Sequence, residues 1–148
     1  MMKLFNSAFE VSLRVMLILS QTANANMTLD RIVAYDFIAI YGRYFGLAES
    51  NLHGDNDFGF SELSARRGVM QTAIKDLVLD GLVKAIRRSN GFCYEITTIG
   101  RDFCKAQTTD YAEAYRHLVC SVHNKYANKT EVEIMSVISQ NATNALRR

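Results

Sequence analysis

A mainly α-helical fold carrying one small β-hairpin is what this sequence predicts, on three observations. The 148 residues include no proline, where average usage leads one to expect about seven. All eight glycines fall between Gly42 and Gly100, so residues 1–41 and 101–148 lack both helix breakers. Asn90-Gly91 sits between two runs of alternating polarity, the strongest short-range hairpin signal. Proline-rich linkers, a collagen-like repeat and most all-β architectures, which need frequent Gly/Pro turns, are excluded.

The elements follow in order. Segment 7–22 reads as an amphipathic helix: Phe9, Leu13, Met16, Leu17 and Ser20 form a stripe, Glu10 and Arg14 pair at i, i+4 on another face, and Ser7 with Glu10 forms a capping box. Asn24 and Asn26 punctuate a turn. Thr28 then caps a helix over about 29–41, with Ile32, Tyr35, Asp36, Ala39 and Ile40 on one stripe. Asp36 inside this apolar stretch reads as a helix-edge aspartate bonded to a neighbour. Residues 42–60 hold four glycines and an Asp-Asn-Asp run without periodicity, hence a long loop. The apolar residues interleaved in it, Tyr44, Phe45, Leu47, Leu52, Phe58 and Phe60, predict that it packs, either on its own body or on a partner.

From Ser61, a candidate cap, the helical pattern resumes through Leu63, Met70, Ala73, Ile74, Leu77 and Val78, and Gly81 stops it at the C′ position. Leu82–Arg88 and Phe92–Thr98 flank the hairpin turn, with Val83, Ala85 and Arg87 opposing Tyr94 and Ile96. Thr98 caps a further helical region, broken near Thr108-Thr109, and Thr130 caps a last helix. Helix, helix, loop, helix, two-stranded wing, helices: the order is that of a winged helix-turn-helix with flanking N- and C-terminal helices. The winged domain spans 1–106 and includes loop 42–60, while 107–148 is a C-terminal helical extension of the same compact domain.

The length fits one domain whose core needs no staples. Cys93, Cys104 and Cys120 match no zinc or CxxC spacing, so packed thiols in a reduced, cytoplasmic protein are expected. Ala23-Asn24-Ala25 imitates a signal-peptidase site, but the apolar run before it, Val15 to Leu19, is too short for a signal peptide. No segment approaches the ~20 apolar residues of a membrane span.

Seventeen basic against fifteen acidic side chains are too balanced to name nucleic acid as partner, yet the charge is uneven. Residues 29–60 carry two basic and five acidic side chains, or −3. Residues 61–91 carry Arg66, Arg67, Lys75, Lys84, Arg87 and Arg88 against Glu62, Asp76 and Asp80, or +3. In a winged helix this stretch is the recognition helix and wing, which makes those six cations candidate contacts to double-stranded DNA. The blander reading is a solvated face with Glu62–Arg66 as an i, i+4 pair.

Catalytic signals are weak. His53 lies near Glu49, Asp55 and Asp57, but a surface histidine among turn-forming residues accounts for it. His117 and His123 fall on different helix faces. Ser61 and Ser64 lack a nucleophile context, and the dispersed glycines build no phosphate loop. A non-enzyme without cofactor or metal is expected. Tyr35, Phe37, Tyr41, Tyr44 and Phe45 form an aromatic cluster suited to a core or to an interface.

The run Gly46, Glu49-Ser50-Asn51-Leu52-His53, Phe60-Ser61-Glu62-Leu63, Arg66-Arg67, Ile74, Leu77 and Gly81-Leu82-Val83 resembles the middle components of bacterial ABC-three-component systems, a group that includes Lamassu-type anti-phage complexes. The opening Phe5 to Val11 with Leu13-Arg14 is similar too. Here Asn51 interrupts the Glu-Ser-Leu-His stretch, and the family's prolines after the histidine and before the arginine pair are missing. The resemblance implies a non-catalytic subunit docked on an SMC-like ATPase and an effector, often a nuclease. Tyr44, Phe45, Glu49, Leu52, His53, Phe58 and Phe60 would serve as partner contacts. A stand-alone, dimeric winged-helix transcription regulator is the alternative. Its recognition helix should expose several base-reading side chains, and here Arg66, Arg67, Gln71 and Lys75 are diluted by Thr72, Asp76 and Asp80. A small hydrolase using His53 is a third, remote reading.

Overall fold

The computed structural model describes residues 7–54, 63–89 and 91–146, with side chains through 141. Among them are six helices and one two-stranded antiparallel sheet, an order compatible with a winged helix.

Helix α1 (Ala8–Gln21) starts where Ser7 Oγ accepts the Glu10 N–H at 3.2 Å. It is a central helix rather than a half-exposed one: Val11, Leu13 and Val15 to Leu19 are all buried, with α3, α4 and α5 packed around it. Two expectations for it are corrected. Phe9 is 58% exposed, and Arg14 does not face solvent opposite Glu10 but is buried, its guanidinium turned to Asp36. A central helix has no solvent face on which to park a cation, so the charge must meet a carboxylate inside.

After a turn in which Asn24 adopts the left-handed region (φ 67°), tolerable for asparagine, Thr28 caps α2 (Leu29–Ile40) by accepting the Arg31 N–H. Its hydroxyl donates to Glu131, 2.8 Å away on the last helix. Every residue from Ile32 to Ile40 is buried, as a helix enclosed on all sides requires. One 3-10 turn, Gly42–Phe45, follows and ends on Gly46 (φ 72°). Loop 46–54 is tied down: Leu52 N–H donates to Ile40 O at 3.0 Å, and the buried Asn51 takes the Arg43 N–H at 3.0 Å. The residue that interrupts the family-like stretch thus has a bond of its own to satisfy.

Helix α3 (Leu63–Leu79) buries only Met70, Ala73, Ile74 and Leu77; the Ser61 cap lies outside the described residues. Gly81 ends it at φ 77°, with Gly81 N–H to Val78 O (3.1 Å) and Leu82 N–H to Leu77 O (3.0 Å), the paired bonds of a Schellman motif. Strands β1 (Val83–Arg88) and β2 (Gly91–Ile96) pair with Val83 opposite Ile96, Ala85 opposite Tyr94 and Arg87 opposite Phe92, the register the alternation predicts. Asn90 lies outside the described residues. Tyr94 N–H also donates to Met27 O at 2.9 Å, which docks the hairpin on the α1–α2 turn.

The next cap is Thr97, not Thr98: its hydroxyl accepts the Gly100 N–H at the start of α4 (Thr98–Lys105) and lies 2.8 Å from Gly81 O. The expected break at Thr108-Thr109 separates α4 from α5 (Asp110–Tyr126), capped by Thr109. Thr130 and Glu133 exchange both capping-box bonds at the start of α6 (Glu131–Leu146). One core cluster unites side chains from all six helices and the hairpin. Cys93 of β2 and Cys104, the latter within this cluster, are buried, whereas Cys120 is exposed, its thiol donating to Gln21 Oε1.

Candidate functional site

Four elements converge on Asp36, which is wholly buried on α2. Arg14 of α1 donates from Nε to Oδ1 at 2.8 Å, and Arg66 of α3 from Nη1 to Oδ2 at 2.9 Å. Tyr115 of α5 donates its hydroxyl to Oδ1 at 2.5 Å. Tyr111, one turn earlier on α5, stacks on His53 of the loop and shares a 2.7 Å hydrogen bond with its Nε2. Two guanidiniums meet one carboxylate here, and Arg66 Nε is buried without an acceptor among the described residues.

Burial alone would push the Asp36 carboxyl up, but the Arg14 and Arg66 charges outweigh it and hold it down at about 2. Burial pushes Tyr115 well up and Tyr111 up to about 12, so both stay neutral. Burial, with Arg14 next, pushes His53 down to about 4. None of these groups exchanges a proton near pH 7. The ion pairs and hydrogen bonds of the cluster tie α1, α2, α3 and α5 together, and the His53–Tyr111 bond ties the loop to α5. Because the folded value of His53 lies below its free value of about 6.5, folding disfavours its charged form. Stability is expected to fall as pH drops from about 6.5 toward 4, and an acid titration of the unfolding free energy should lose that limb in His53→Gln.

The six cations expected at DNA are not alike. Arg66, with its side chain 9% exposed, is bonded to Asp36 and lies over the Phe37 ring. It therefore cannot reach a phosphate without abandoning a buried carboxylate. Its expected i, i+4 partner, Glu62, lies outside the described residues. Arg67 is exposed but paired with Asp30 at 2.6 Å. Lys75 and Arg88 are exposed, Lys84 is exposed with Glu95 at 3.7 Å, and Arg87 lies over the Phe92 ring.

Of the partner contacts expected in the loop, Phe45 is part of the core, edge-on to Phe37. Tyr44 is half-buried and stacks on Tyr41, and Leu52 packs against the core. Glu49 is exposed, His53 is half-buried on Tyr111, and Phe58 and Phe60 lie outside the described residues. Up to residue 54 the loop packs on its own body.

The roles of Arg14, Tyr111 and Tyr115 around Asp36 escaped the sequence reading. An arginine within the most apolar stretch of the chain and an aspartate within the next one were the available signal. Nothing in one sequence, however, says which distant charges pair.

Gly68 adds a contrast. It lies on the exposed side of α3, and a Cβ there would meet nothing within 4 Å. Gly68→Ala is expected to stabilise the isolated protein by about 0.5–1 kcal/mol, read as a shift in the urea midpoint.

These features define the class: a small, mainly helical protein with one hairpin, compatible with a winged helix, its central ion cluster locking the helices together. The family model for the ABC-three component (ABC-3C) system Middle Component 2 matches residues 4–148. The chain belongs to that family, which makes it a defence-system subunit with partner subunits. No curated protein and no solved structure matches it. Among the described residues no helix is long and apolar enough to cross a membrane, and no group of three or more His, Cys, Asp and Glu could hold a metal.

Proposed function

We propose that this protein is a non-catalytic adaptor that bridges an SMC-like ATPase and an effector nuclease in an anti-phage or anti-plasmid complex in the cytoplasm, built on a winged helix-turn-helix. Membership of the middle-component family over residues 4–148 carries this reading. Two features of the surface support it. Helix α3 is held by a single buried stripe, which leaves Gly68, Gln71, Thr72 and Lys75 outward, as a recognition helix would have them. Helix α6 leaves Val132 (76% exposed) and Met135 at the surface, apolar area available to a partner.

Expression with the neighbouring genes tests the adaptor role. The protein should elute with a coiled-coil ATPase and an effector, and elution alone sinks the proposal. Within that complex Lys75, Lys84, Arg87 and Arg88 contact duplex phosphates, and Arg66 does not. Changing all four to glutamine is expected to flatten the slope of log affinity against log salt by about 3–4 units. An unchanged slope removes DNA from the list of partners.

A further inference from the structure

At the C-terminal end of α1, a cleft of about 330 Å³ opens between α1, α4 and the start of α5. Its charged lining is Arg101, Lys105 and Arg116 against Glu113 alone, or +3 − 1 = +2. Arg116 is fixed in place: Nη1 donates to Glu113 Oε1 at 2.6 Å, while Nη2 donates to Gln107 O at 2.8 Å and to Cys104 O. Those three bonds use three of its five N–H groups, and the other two have no acceptor among the described residues. Arg101 and Lys105, one turn apart on α4, have no ion-pair partner among the described residues, and Thr108 also lines the cleft.

Like charges gathered in a concave site repel one another and raise the local concentration of anions. A lone carboxylate would leave the cleft positive, whereas a phosphate dianion balances it, and guanidinium and ammonium groups are the usual phosphate donors. We propose that this cleft is a binding site for a phosphate group, either free phosphate or the phosphate of a small nucleotide. A volume of about 330 Å³, at the lower end of ligand pockets, favours a small phosphate compound over a nucleic-acid backbone.

Thermal melts of the intact protein at constant ionic strength test it, with sodium phosphate, a nucleoside 5′-monophosphate and a short DNA duplex as probes. The expected result is a saturable rise in Tm of about 3–6 °C at ten times the half-saturating concentration. The double variant Arg101→Gln/Lys105→Gln should lose it, and Lys75→Gln/Lys84→Gln should keep it. A larger response to the nucleotide than to phosphate assigns the nucleotide; equal responses assign free phosphate. Should the first variant melt too low to compare, a ³¹P titration of the unaltered protein replaces the melt, and an unmoved phosphate resonance overturns the proposal. So does a response to the duplex alone, or one that does not saturate or survives the double variant.

Discussion

Asp36→Ala is expected to cost about 3–5 kcal/mol, the usual loss when one member of a buried ion pair is removed. The reason lies in what stays behind. Arg14 is buried and bonded to Asp36 twice, through Nε and, at 3.5 Å, through Nη2. Arg66 leans on the other oxygen, and the Tyr115 hydroxyl would lose its acceptor. Two cations would then sit uncompensated among α1, α2, α3 and α5. Asp36→Asn keeps the shape and removes the charge, so a loss nearly as large is expected from it, which separates electrostatics from cavity formation. Urea unfolding at pH 7 reads both. The same group sets an acid limb. Its folded value of about 2 lies below the free value, so its contribution is fully present above about pH 4 and fades as pH falls toward 2. Asp36→Asn should abolish that limb while leaving the His53 limb at higher pH. An Asp36→Ala protein as stable as the parent would show that the arginines find water or another acceptor.

Gly100→Ala is the second large effect. A Cβ at Gly100 would lie 2.2 Å from Leu82 O and 2.8 Å from Ile96 Cγ1. The first obstacle is backbone and cannot turn aside. It is also pinned, since the Thr97 N–H donates to Leu82 O at 3.1 Å and the Thr97 hydroxyl reaches it at 3.0 Å. Helix α4 must therefore back away from the end of α3 and the root of the hairpin. A loss of about 3 kcal/mol, the upper part of the overpacking range, corresponds to a fall in Tm of about 6–12 °C. Gly68→Ala, with open space around it, should move in the opposite direction. If both glycines respond alike, helix propensity rather than the close approach to Leu82 governs them.

Local chemistry was legible in the sequence wherever the decisive partner is a few residues away. The Ser7 and Thr130 caps, the Gly81 terminator, the break before α5 and the hairpin register all depend on short spacings. The misplaced cap at Thr97 is an error of one residue within a Thr-Thr pair, where composition cannot separate the candidates. The candidate site was less legible. Arg66 shares a helix face with solvent-directed residues in the sequence pattern, yet it belongs to a carboxylate thirty residues away. Phe45 reads as an interface aromatic and is core. Arg14 and Glu10 look like an i, i+4 pair, but burial of α1 on every side gives Arg14 a stronger claim on Asp36.

By itself, then, the sequence determined the elements, their order and their ends, because helix periods, caps and turn residues act over a few positions of chain. Its motifs also pointed to the middle-component family. Which charges would be buried, and with whom, was settled only by the tertiary structure. A charge surrounded by other elements must be matched within hydrogen-bonding distance, and that distance is a property of how α1, α2, α3 and α5 pack. The same packing bonded Arg66 to Asp36 and gathered three other cations around the cleft beside α4.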